Sequence, residues 1–212
     1  MKTPNLRSRH RVILAAITLS LILTGCLTRP ALVHQTFALQ TPPVTNLAPP
    51  GQTVLLVRNA EMSPLYASQA LVYRLGPNAY ETDPYAGFLV PPGRALAIPL
   101  RAYLANSGVF ADVVGPDSPL KADQVLYVHV TELYGDFRHP SHPAAVLSLR
   151  LVFMNSRGNV MLQKDYTCSV PLKGNTAAEV VAGYDQALAG IAGQVASDLV
   201  TVYKPVGVNP AP

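Results

Sequence analysis

Two histidines, three positions apart, are the side chains in this sequence best spaced for metal chemistry. His139 and His142 lie in the run 138–143, which reads RHPSHP. Neutral imidazole is a common metal ligand, so the pair could contribute to a metal site. The prolines instead favour an exposed loop, and Asp136 is the one carboxylate beside the run. We therefore predict an ordinary surface loop between two strands, and no metal site.

Other signatures of catalysis are missing from the sequence. It has no Gly-x-Ser-x-Gly motif, which carries an esterase nucleophile, and no glycine-rich phosphate loop. Apart from the neighbours Glu81 and Asp83, no two carboxylates are placed for acid–base work. A hydrolase would need the fold to bring a serine and a carboxylate to His129, His139 or His142. We therefore predict that the protein is not an enzyme and uses no cofactor.

Lipid attachment is the chemistry that the sequence does indicate, at Cys26. The apolar run Val12–Leu23 follows a basic head, as in a secretory signal peptide. Its dozen residues are fewer than the roughly 20 that a membrane-spanning helix needs. The Leu-Thr-Gly before Cys26 resembles the bacterial lipobox, whose cysteine receives diacylglycerol and N-acyl lipid and begins the mature chain. We predict a signal peptide over residues 1–25, the alternative being an ordinary signal or short membrane anchor that happens to hold a cysteine.

The leader also accounts for the basic charge of the chain. The whole sequence has 16 Lys and Arg against 12 Asp and Glu, and four of the basic residues lie in the leader. The mature chain therefore has equal numbers of basic and acidic side chains, which gives no electrostatic support for a nucleic-acid partner.

With Cys26 acylated, Cys168 has no second cysteine to pair with, and we expect it to be a small packing residue.

Proline content divides the mature chain. Residues 26–50 contain five prolines and predict an extended tether from the membrane, in which Val33–Leu39 could form an edge strand. Residues 204–212 contain three prolines and predict a loose tail. Residues 51–203 are long enough for one domain with a core.

Short alternating segments in this domain predict strands. They are Thr53–Val57, Ser68–Leu75, Ala79–Thr82, Gln124–Leu133, Val146–Phe153 and Val160–Tyr166. The last three predict an antiparallel meander with one covered face, and a turn at 155–159 joins the last two.

Two apolar stripes predict the covering helices. The first lies between Pro92 and Ser107, and Pro99 favours irregular first turns or a start near Ile98. The second begins at a capping box, Thr176 to Glu179, and its stripe runs to Val202. The prediction is an α+β domain, a mostly antiparallel sheet with two helices packed on one face.

Three segments in the middle of the chain follow the pattern of a known family. They are 70–74 (ALVYR), 80–92 (YETDPYAGFLVPP) and 103–114 (YLANSGVFADVV). A strand ending in Tyr-Arg leads to a tyrosine-rich turn, an aromatic and proline step, a helix and a small-Gly-x-Phe segment. The chain resembles the ABC-type transport auxiliary lipoprotein family, which includes the outer-membrane lipoprotein of the paraquat-inducible (Pqi) system. The resemblance runs from the lipobox to about Tyr203.

The resemblance implies a transport role without catalysis. Family members work with MCE-domain (mammalian cell entry) proteins and an inner-membrane ABC permease and ATPase, which move lipids between the two membranes. The implied role is to dock the MCE protein at the periplasmic face of the outer membrane. Leu27 fits this location, because an Asp after the lipidated cysteine commonly signals inner-membrane retention in enterobacteria. A homo-oligomer is a further expectation, since family members can form rings.

Tyr73, Tyr85 and Phe88 are the candidate partner contacts in the matching segments. The family commonly has a tryptophan just before the proline step, whereas this chain has no tryptophan and places Phe88 there. The alternative is that all three aromatic side chains pack around the hairpin. Alternatives for the whole protein are a lipoprotein that binds lipid or solute in its own pocket, a lipoprotein hydrolase and a purely structural envelope lipoprotein.

Overall fold

A computed structural model describes residues 34–44, 47 and 51–202 of the chain. The predicted signal peptide, Cys26 and the predicted tail at 204–212 lie outside the described residues. Within them are nine strands, two α-helices and a short 3-10 helix, Pro64–Tyr66, which confirms the α+β class. The strands are β1 (Gln35–Phe37), β2 (Val54–Val57), β3 (Glu61–Met62), β4 (Ala70–Arg74), β5 (Tyr80–Phe88), β6 (Asp112–Val114), β7 (Gln124–Asp136), β8 (Ala144–Asn155) and β9 (Val160–Pro171). The helices are α1 (Pro92–Asn106) and α2 (Ala177–Val202).

Strand β7 is the centre of a single sheet. Along one edge it pairs with β8, which pairs with β9, and both pairings are antiparallel. Along its other edge β2, β3 and β4 follow one another, each parallel to β7. Strand β6 extends the sheet from β2, and β5 and then β1 extend it from β4.

The prediction of a mostly antiparallel sheet is therefore wrong, because the sheet is mixed. The meander of β7, β8 and β9 is antiparallel, but five of the eight strand pairings in the described residues are parallel. Parallel neighbours need a crossover connection, and α1 lies in the one between β2 and β6. Alternating apolar residues reveal the buried face of a strand but not the strand beside it, so these pairings cannot be predicted from the alternation.

One face of the sheet holds the core. The residues predicted to point inward from β7 and β8 are all buried, namely Leu126, Val128, Val130, Leu147, Leu149, Leu151 and Phe153. Both helices add side chains to the same cluster. The helices meet at Tyr103 of α1 and Gly193 of α2. A Cβ atom added to Gly193 would lie 3.5 Å from the Tyr103 hydroxyl. The two helices thus cover the same face.

Helix α2 begins as its sequence predicts. The Glu179 amide donates to the Thr176 hydroxyl at 3.3 Å, and the Thr176 amide donates to the Glu179 carboxylate at 3.3 Å. This reciprocal pair is the predicted capping box. The predicted stripe is buried from Val180 to Leu199, so packing on the sheet stabilises a helix that several glycines weaken.

Helix α1 begins earlier than predicted. It is regular from Pro92 onward rather than from Ile98. Pro92 occupies the first helical turn, where a missing N–H costs nothing. Pro99 lies inside the helix but is buried, so its packing offsets the cost of about 3 kcal/mol that an internal proline carries.

Tyr184 offers a test of the core. Its side chain is fully buried, its hydroxyl has no hydrogen-bond partner among the described residues, and burial raises its pKa well above the ordinary value. We expect Tyr184→Phe to raise the free energy of unfolding by about 1 kcal/mol, because a buried polar group without a partner is costly. Urea denaturation measures the change.

Tyr166→Phe is the matched control. Tyr166 is equally buried, but its hydroxyl donates to Asp198 at 2.7 Å. Losing that bond should lower the free energy of unfolding by about 1 kcal/mol. A loss of stability in Tyr184→Phe as well would show that its hydroxyl has a partner.

Candidate functional site

A cleft of about 540 Å³ lies at the end of the sheet where β4 joins β7. It is lined by the end of β4, by the loop after β7 and by the loop that precedes α2. The apolar lining residues are Tyr73, Leu75, Phe137, Pro140, Pro143 and Leu172, and the others are Ser141, Lys173, Gly174 and Asn175. An apolar floor with a few polar groups suits a ligand or a protruding side chain of a partner.

Tyr73 is held firmly in the wall of this cleft. Its hydroxyl donates to Asp83 at 2.6 Å, and its ring meets Phe137 edge to face with 5.5 Å between the ring centres. Burial, reinforced by the bond to Asp83, raises the pKa of the Tyr73 hydroxyl, which therefore stays a donor at neutral pH. The second carboxylate oxygen of Asp83 accepts from the Tyr85 amide at 2.8 Å. Asp83 thus joins the backbone of β5 to the cleft.

The other two candidate contacts lie in different surroundings. Tyr85 is 46% exposed and does not line the cleft. Phe88 is 3% exposed, and its ring stacks on Tyr184 at 6.2 Å. Phe88 is thus a core residue in this chain and offers almost no surface to a partner.

The histidine run forms part of an exposed loop, 137–143, beside the cleft. His139 and His142 are both exposed, and Nδ1 of His142 lies 2.9 Å from the Ser141 hydroxyl. The nearby Asp136 carboxylate is paired with Arg138 at 2.6 Å, which lowers the pKa of Asp136. His129 lies away on β7, with Nδ1 4.0 Å from Glu61. Among the described residues, no group of three His, Cys, Asp or Glu side chains could hold a metal.

Sequence reasoning missed Phe137, Leu172 and Lys173 as cleft residues. They lie in two loops that are 35 residues apart in the chain and share no periodic pattern. The Pro-rich run at 138–143 was the one local signal, and it pointed to a loop without showing what the loop covers.

A family model for the ABC-type transport auxiliary lipoprotein component matches residues 37–196. The match runs from the end of β1 into the last turns of α2. The chain belongs to this family. No curated protein gives a match.

Two solved structures have the same fold as the described domain. Protein XCC0632 from Xanthomonas campestris has a TM-score of 0.70 and 22% identity, over 79% of this chain and 96% of that one. The structure of an uncharacterized protein has a TM-score of 0.60 and 20% identity, over 76% and 99%. A PelC dodecamer from Paraburkholderia phytofirmans is more distant, with a TM-score of 0.39 and 16% identity over 68% and 91%.

Much of the predicted tether of the auxiliary lipoprotein is fixed to the domain. Strand β1 pairs in parallel with β5, at the place where the sequence allowed an edge strand. Leu39 is 9% exposed, and the Gln40 amide donates to Asp185 on α2 at 2.8 Å. The part of the chain that separates Cys26 from the domain is therefore much shorter than residues 26–50.

Membership in a lipoprotein family indicates an envelope location. In the described ranges, neither helix combines the length and the apolar character needed to cross a membrane.

Proposed function

We propose that the chain is a non-catalytic outer-membrane lipoprotein that docks the MCE-domain protein of an ABC-type lipid transport system. Acylated Cys26 would hold it at the periplasmic face, and Leu27 supports the outer rather than the inner membrane. The observation that carries this proposal is the family match, because it spans nearly the whole domain.

The cleft beside Tyr73 is the proposed docking site. Interfaces concentrate their binding energy in aromatic side chains that are well packed and fixed in place, and Tyr73 and Phe137 meet that description. Lys173 lies at the rim, is exposed and forms no ion pair among the described residues. A partner segment with an apolar side chain next to a carboxylate would fit this arrangement.

The loop beside the cleft supports a role without catalysis. Ser141 and His142 are neighbours in an exposed loop, and within the described part of the chain no carboxylate bonds to His142 as the third group of a catalytic triad would. The nearby Asp136 carboxylate is instead paired with Arg138.

We predict that a photo-crosslinking residue at Leu75 captures an MCE-domain protein in intact envelopes. Leu75 is 48% exposed at the cleft rim, so a reactive side chain there reaches whatever occupies the cleft. Mass spectrometry of the crosslinked product identifies the partner, and also shows whether a second copy of the chain, the permease or the ATPase is captured.

Val160 is the control position, since it is 54% exposed in the β8–β9 hairpin, away from the cleft. The proposal fails if Leu75 captures no MCE-domain protein, or captures it no better than Val160 does.

The cleft also supports the alternative, a lipoprotein that holds lipid itself. Its volume and its apolar floor at Phe137 and Leu172 are compatible with part of an acyl chain. Lipid that co-purifies with the chain, and that is lost from a Leu172→Asp variant, would favour this alternative over docking.

A further inference from the structure

The position at which the N-terminal segment joins the domain determines which side of the domain can face the membrane. His34 is eight residues after Cys26, and the next three residues, Gln35–Phe37, pair with β5. Whatever path the intervening residues take, eight residues cannot span more than about 29 Å. A domain of this size is about 40 Å across. The side of the domain opposite His34 therefore cannot reach the membrane while Cys26 is anchored.

The surface around this junction is a shallow groove, which we call the entry face. It is lined by His34 and Thr36 from the β1 segment, by Pro84 in β5, and by Gln69 and Leu89. Because Gln35 pairs with Ala86 in parallel register, Tyr85 lies beside His34 at the start of β1. Tyr85 does not line the groove itself, but it adjoins the groove in this register, and we include its exposed side chain in the entry face.

The chemistry of the entry face suits the headgroup region of a neutral lipid surface. Leu89 is 61% exposed and Tyr85 is 46% exposed, and tyrosine is enriched where apolar and wet environments meet. No lysine or arginine lines the described groove, so the face has no feature that would attract anionic headgroups. Asp83 also lines the groove, but its two carboxylate oxygens accept from the Tyr73 hydroxyl and the Tyr85 amide, so both are hydrogen-bonded within the domain.

We infer that the entry face rests on the zwitterionic lipid surface, with Tyr85 and Leu89 in the headgroup region. This inference rests on the proposed lipid anchor at Cys26. Tyr85, a candidate partner contact in the sequence, then contacts lipid rather than protein. The anchor fixes how far the domain lies from the membrane, and the entry face fixes which way it turns.

The absence of tryptophan from the chain makes a direct test available. Tyr85→Trp places a unique fluorophore on the entry face of the lipidated full chain. The chain is reconstituted in phosphatidylcholine vesicles that contain a headgroup-nitroxide phosphatidylcholine. We expect quenching at position 85 to be about threefold stronger than at a control position, and unchanged by high salt because no ion pairing is involved.

Val160→Trp is the control, since Val160 has a similar exposure of 54%. The β8–β9 hairpin lies at the end of β7 where Gln124 pairs with Asn155, whereas β4 joins β7 at Gly135. Eleven residues of strand separate those positions, about 36 Å. Equal quenching of the tryptophan fluorescence at positions 85 and 160, in vesicles that carry the chain, overturns the inference. It does not contradict the lipid anchor at Cys26.

Two further results are distinguishable. If the unmodified lipidated chain does not float with the vesicles, the anchor itself is wrong and the inference fails with it. The second result concerns a Cys26→Ala, Tyr85→Trp chain in buffer without vesicles. If its tryptophan is as well protected from an aqueous quencher as that of the vesicle-bound chain, a second copy covers the entry face, and the lipid contact is wrong.

Discussion

Replacing Cys26 with alanine should release essentially all of the chain from the membrane and leave the domain folded. Each buried methylene of an acyl chain contributes about 0.8 kcal/mol to membrane binding, so losing the two or three chains proposed for Cys26 would remove the anchor altogether. The core of the described domain is formed by residues from Leu39 to Leu199, so the domain should fold without the lipid. Membrane fractionation measures the release, and thermal unfolding checks the fold. If the proposed docking role holds, transport should be abolished, because a released domain would no longer hold the MCE-domain protein at the outer membrane.

Cys168→Ser is the matched control, since it removes the other cysteine of the chain. Cys168 is half-buried against Gly190 of α2, so this variant should stay on the membrane with at most a small loss of stability. A Cys26→Ala chain that remains in the membrane fraction contradicts the lipid anchor. Retained transport in a fully released chain contradicts the proposed role at the outer membrane.

The parts of the fold that the sequence predicts are those with a local signal. The meander of β7, β8 and β9 has alternating apolar residues, and Asn155 and Gly158 mark its tight turn. The capping box at Thr176 marks the start of α2, and the spacing of the apolar residues along the helix shows which face is buried. In each case the residues that form the element also carry the evidence for it.

The parallel strands and the cleft have no such signal. Strand β3 is two residues long and β6 is three, too short for a pattern to appear. The place of β3 in the sheet is set by β7, which lies more than 60 residues later in the chain, and the place of β6 is set by β2. The cleft likewise arises where two loops and the end of β4 meet, so only the tertiary structure brings Tyr73 next to Leu172.

Asp83 connects the two surfaces that the proposals use. One carboxylate oxygen accepts from Tyr73 in the cleft, and the other accepts from the backbone of Tyr85 at the entry face. A partner docked in the cleft would therefore lie close to the lipid surface on which the entry face rests. The proposed docking role would benefit from this closeness, because lipid passed between the partner and the membrane would have little water to cross.

Replacing Gly93 with alanine should cost about 3 kcal/mol of stability, because the helix α1 could no longer approach the connection between β2 and β3. A Cβ on Gly93 would overlap with the carbonyl oxygen of Ala60, which is backbone and cannot turn aside. The same two residues are joined by a hydrogen bond from the Ala60 amide to the Gly93 carbonyl at 3.0 Å, so neither segment can shift alone. Overpacking of this kind costs about 1–3 kcal/mol, with rigid backbone at the upper end. The midpoint of thermal unfolding should fall by about 6–12 °C.

Gly190→Ala separates this steric effect from the general effect of changing a helical glycine. The nearest atom to a Cβ there is the sulfur of Cys168 at 3.7 Å, an ordinary contact. Alanine loses less backbone freedom than glycine on folding, so the free energy of unfolding of this variant should rise by about 0.5–1 kcal/mol. The change in the free energy of unfolding should therefore have opposite signs in the two variants, and the backbone contact at Ala60 alone accounts for the difference. If Gly93→Ala instead matched the gain of Gly190→Ala, α1 would not be packed as closely on the β2–β3 connection as the structure shows.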